Sequence, residues 1–65
     1  MKFSEKLKQV REILKISQET LARELGVSFA TINRLESDKS YPSYSTLNRF
    51  DSFCRKNNIS FQGAD

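Results

Sequence analysis

The chain has no histidine, no tryptophan, one cysteine, one proline and two glycines in 65 residues. A single Cys excludes a disulfide framework, and the lack of His removes zinc-finger ligands and a Cys–His nucleophile. So few Gly and Pro leave too few turn signals for an all-β sandwich or barrel. No apolar run approaches the roughly 18 residues of a membrane span, and no secretory pattern opens the sequence, so a soluble cytoplasmic protein is expected. The length allows one domain, because a second core would have no room. What is present is ordinary globular material, 37% hydrophobic and 29% charged. Lys and Arg total 11 against 8 Asp and Glu, net +3, and the pI is near 9.3. That basic balance fits a nucleic-acid footprint without deciding it.

Apolar residues recur at helical spacing. Leu7, Val10 and Leu14 predict a first helix over 4–15, with Ser4 as its N-cap. Ser17 should cap a second helix over 18–25, with Ile16 before the cap and Leu21 inside forming a hydrophobic staple. Gly26 ends it as a left-handed residue. Val27, Ser28 and Ile32 repeat the same grammar for a third helix over 28–37. The polar stretch from Asp38 to Pro42 makes a loop. Ser43 caps a fourth helix over 43–56, whose apolar stripe is read as Leu47, Phe50, Phe53 and Cys54. Asn57 and Asn58 should stop it, Ile59 and Phe61 fold back on the core, and 62–65 fray. The expected fold is all-α, a four- or five-helix bundle over 1–61.

Within it, Gln18 to Ser37 reads QETLARELGVSFATINRLES. Two short helices meet at a turn built on Gly26, Ala22 is small where they cross, and Leu21, Leu25, Val27, Ile32 and Leu35 supply the inner face. This is the sequence form of a helix-turn-helix. The segment resembles the Cro/phage-repressor (XRE-type) helix-turn-helix family, through ISQETLARELGVSFATINRLE and the later YPS before a helix. The resemblance covers about Leu7 to Phe53. It implies a lambda-repressor-like bundle that binds double-stranded operator DNA, usually as a homodimer on a palindromic site, and represses or regulates transcription in a prokaryote or phage. It further implies a nucleoid-associated location, with the third helix in the major groove and the second across the backbone.

By the same resemblance, Gln18 matches a Gln that bonds a phosphate and braces the recognition helix. Arg11 matches an Arg paired with the Glu ending that helix, here Glu36. Ser28 to Arg34 match the groove-facing positions. The helical wheel agrees: with Ile32 inward, Ala30, Asn33, Arg34 and Ser37 fall on the outward arc, Phe29 and Thr31 on its borders. Arg can pair with guanine, Asn with adenine, and an apolar ring can cover a thymine methyl. Base contacts are therefore expected from Ser28, Phe29, Ala30, Asn33 and Arg34. Phosphate contacts are expected from Gln18, Thr31, Ser37, Lys39, Ser43 and Tyr44, the last two at a helix N-terminus.

Each residue also has a plainer reading. Phe29 can pack under the second helix, Asn33 and Arg34 can be solvated, and the residues around Ser43 can simply cap. Cys54 reads as core filler. The family often has Gly where Lys15 and Asp38 stand, and its fifth helix is reduced here to residues 57–61. No catalytic group, metal site, cofactor or small-molecule ligand is indicated, and an enzyme lacks any nucleophile–base pair. The rival reading is a protein-interaction module, such as an antitoxin-like partner. An exposed apolar patch of Phe53, Ile59 and Phe61 would favour it, and a basic rim around the third helix would favour DNA.

Overall fold

The computed structural model describes residues 1–61; the expected frayed tail, 62–65, lies outside the described residues. It contains four helices, α1 (Phe3–Leu14), α2 (Gln18–Leu25), α3 (Phe29–Glu36) and α4 (Tyr44–Lys56), and no strand among the described residues. The all-α expectation holds. There is no helix over 57–61; Ile59 and Phe61 instead pack against the core as a short return segment.

Three helices start by one device. Ser17, Ser28 and Ser43 each accept a 3.1 Å hydrogen bond from the backbone N–H three residues on, at Thr20, Thr31 and Thr46. In each case the Ser and Thr hydroxyls also bond one another. The repeated S-x-x-T satisfies donors that every helix start leaves open. α1 departs from expectation, because Lys2 rather than Ser4 occupies the N-cap. The carboxylate of Glu5 accepts from the Lys2 backbone N–H at 3.0 Å, while Ser4 lies one position inside the helix and is buried.

The four helix ends are also alike. Lys15, Gly26, Asp38 and Asn58 all take positive φ. After each, the next N–H reaches back five residues: Ile16 to Arg11, Val27 to Ala22, Lys39 to Arg34 and Ile59 to Cys54. This is the Schellman closure, which favours Gly at the left-handed position. Only one of the four has it.

Leu7, Val10, Leu21, Ala22, Leu25, Ile32, Leu35, Phe50 and Cys54 form one core. α3 packs on α1 and α2, and α4 on α2. Phe50 meets Phe3 edge-on at 4.9 Å and stacks with Phe61 at 6.1 Å, so the chain's first turn and its return segment close on the same ring. The stripe of α4 differs from its reading by one position: Leu47 is 41% exposed and Thr46 is buried. Thr46, whose N–H is capped by Ser43, lies i−4 from Phe50 and i−8 from Cys54, the spacing of one helical face. Arg49 of α4 donates through Nη1 to the carbonyls of Leu25 and Gly26. It thereby clamps the turn between α2 and α3.

Candidate nucleic-acid interface

α3 is held by Ile32, Leu35 and Glu36, all buried, which turns its other side outward. Ala30, Asn33, Arg34 and Ser37 are exposed and Thr31 is half-buried, as the wheel predicts. Phe29 is 51% exposed, half covered at the start of α2 and half open beside the outward face of α3. Its neighbours across a shallow depression are Arg11, Ser17, Gln18 and Glu19. Arg34 makes no ion pair among the described residues. The hydroxyl of Ser28 is engaged in its cap, bonded to the Thr31 N–H and hydroxyl.

Behind this face lies a polar network. Arg11 grips Glu36 in a fork, Nε to Oε2 at 2.7 Å and Nη2 to Oε1 at 2.9 Å. Gln18 Nε2 donates to the same Oε1 at 3.0 Å, and Gln18 Oε1 accepts from Asn33 Nδ2 at 3.3 Å. Burial disfavours the Glu36 carboxylate, but the hydrogen bonds from Arg11 and Gln18 and the nearby positive charges outweigh it, so its pKa falls below the ordinary value. The same pair raises the pKa of Arg11. The expected Arg11–Glu36 ion pair is therefore formed, joining α1 to α3, and Gln18 braces α3 from α2. The link onward to Asn33 had no signal in the sequence, since side-chain contacts across a turn leave no periodic trace.

At the other end of α3, Ser37, Lys39 and Tyr44 are exposed, and Ser43 is committed to capping α4. Tyr41 and Tyr44 stand almost free of the protein. Asp38 pairs with Lys2 Nζ at 2.9 Å, which raises the Lys2 pKa. Neither this pair nor the Arg49 clamp was foreseen, because both join residues distant in sequence. Cys54 is buried, and its thiol pKa is pushed up to about 11 by loss of hydration, so it has no reactive thiolate near neutrality. No cluster of three Cys, Asp or Glu groups able to hold a metal occurs among the described residues. No described helix is long and apolar enough to cross a membrane.

Two short helices joined at a left-handed Gly26, with the second packed on α1 and α2 and its outer face bare, define a helix-turn-helix protein. The comparison of sequences agrees, for the helix-turn-helix family model matches residues 7–57, and the chain belongs to that family. It is also 42% identical over 53 residues to the HTH-type transcriptional activator BcrR of Enterococcus faecalis. That alignment covers 82% of this chain and 26% of BcrR, so the chain spans about a quarter of that relative's length. No solved structure matches the chain.

Proposed function

We propose that this protein binds double-stranded DNA in a sequence-specific manner, with α3 in the major groove, as a prokaryotic or phage transcriptional regulator. The observation that carries the reading is the bare face of α3, which puts an uncompensated Arg34, the carboxamide of Asn33 and a half-exposed Phe29 side by side. An aromatic ring left in water beside polar groups is explained by a partner surface, and a thymine methyl is one it suits. Base contacts fall to Phe29, Ala30, Asn33 and Arg34, with Ser28 at the helix start. Gln18, Thr31, Ser37, Lys39, Ser43 and Tyr44 contact phosphates on either side. The regulatory role follows the relative, which is named as a transcriptional activator. A homodimer on a palindromic operator is the binding species in this reading.

The interaction-module alternative is less favoured, because Phe53, Ile59 and Phe61 are partly buried against the core. Selection of bound sites from a random DNA pool tests the proposal. Recovery of one short motif is the expected result, and a pool that stays random after repeated rounds would refute it.

A further inference from the structure

The Glu36 carboxylate is buried, fixed by the fork of Arg11, and can only accept hydrogen bonds. Gln18 therefore has to turn its NH2 group towards Glu36, as it does at 3.0 Å. That choice leaves the Gln18 carbonyl oxygen on the opposite side, where it can only accept. Asn33 must then offer its own NH2 to Gln18, at 3.3 Å. Two amides that would otherwise flip freely are ordered by one charge, each taking its direction from the group before it.

We infer that Gln18 is a specificity-determining residue, which orients the Asn33 carboxamide so that it distinguishes adenine from guanine. This rests on the DNA-binding reading above. An Asn amide has two N–H donors and one carbonyl acceptor. With one donor committed to Gln18, Asn33 has one donor and the acceptor left for a base. That pair matches the N7 acceptor and N6 donor of adenine. Guanine shows two acceptors, N7 and O6, in the same place, and Asn33 no longer has two donors to give. The second Nε2 proton of Gln18 remains available for a phosphate, so bracing and backbone contact are compatible. The exposure of Asn33 keeps its outer edge accessible to DNA.

The inference departs from a purely phosphate-binding Gln18, which would weaken every site alike. Its test has two arms, run on wild type, Gln18→Met and Gln18→Ala, with thermal melts to establish folding. In the free protein, NMR should show one Asn33 side-chain proton shifted and slow to exchange with water, and both variants should abolish this. Asn33 side-chain protons that behave alike in all three proteins would overturn the tether, whatever the DNA result. In the second arm, Asn33→Ala locates the base that Asn33 reads within the selected site. At that base, the wild-type preference for adenine over guanine should fall about tenfold in both Gln18 variants, within the range of one lost bidentate contact. Preferences at the other bases should persist. A uniform loss across all bases, or an undiminished adenine preference, would overturn the role in specificity. Wild-type protein that selects no site would remove the DNA reading and this role together, while the NMR arm would still judge the tether by itself.

Discussion

Glu36 has only 4% of its side chain exposed, and Arg11 retains 27%. Such a pair adds little over two well-packed apolar residues, but a single survivor is left charged and dry. Arg11→Met should therefore destabilise the fold by about 3 kcal/mol, the lower end for a broken buried pair because Arg11 is partly hydrated. Chemical denaturation of the variant beside wild type measures it. Because the Glu36 pKa is lowered on folding, its contribution is complete above the unfolded value of about 4.3 and is lost as pH falls through the folded pKa. Melting temperatures should accordingly drop below about pH 4 in wild type, and Glu36→Gln should flatten that part of the curve. On the opposite side of α3, Arg34→Ala should leave the melt unchanged. It should cost about 1–3 kcal/mol of binding and relax one base position, as read by titration of single-base variants of the selected site.

The helix ends carry strain at the element scale. A left-handed conformation costs an L-residue about 1–2 kcal/mol, against roughly 0.5–1 kcal/mol of chain entropy that Gly brings to the unfolded state. Lys15, at φ 56, should therefore gain about 0.5–1 kcal/mol from Lys15→Gly, seen as a melt a few degrees higher. Asn58→Gly should do less, because Asn tolerates this region. Gly26 faces the reverse constraint: a Cβ there would sit 3.0 Å from Arg49 Nη1, in addition to the φ of 70°. Gly26→Ala should cost about 2 kcal/mol, and Arg49→Met should recover part of it in a double-mutant cycle. Much of this scale was readable in sequence, since capping Ser residues, staples and Gly26 act through neighbours three or four positions away. The start of α1 was misplaced because Glu5 supplies the acceptor, a role that Ser4 fits equally well on sequence alone. Leu47 was placed inward because hydrophobicity outranks Thr in any pattern, while the packing of α4 places Thr46 on the same face as Phe50 and Cys54. At the candidate interface, the wheel located the bare side of α3. It could not show that Gln18, Asn33 and Glu36 share one network, for that depends on how α2 and α3 cross.

For the whole molecule, the net charge of +3 is small, so the position of each charge matters more than the sum. Arg34 and Lys39 flank the end of α3, and Asp38 lies between them in the chain, directly after the exposed Ser37. In the proposed docking, with α3 in the major groove, its carboxylate would lie beside the DNA backbone; Lys2 neutralises it across 36 residues at 2.9 Å. Both partners are well exposed, so the pair contributes little to stability. Its consequence in the proposed complex is electrostatic, since a Lys2 paired with Asp38 is less available to phosphates. Asp38→Asn removes the repelling charge and releases Lys2. Binding to the selected site should then tighten, and the slope of log affinity against log salt should steepen by up to about 0.9 per subunit, the value of one additional neutralised phosphate. Lys2→Met should have the opposite effect, weakening binding by leaving Asp38 bare, and combining it with Asp38→Asn should restore the wild-type slope. Titrations of the four proteins against one duplex between low and moderate salt give all the slopes needed. Four equal slopes would place the loop after α3 away from the DNA backbone and would move the docking geometry towards Gln18 and Phe29.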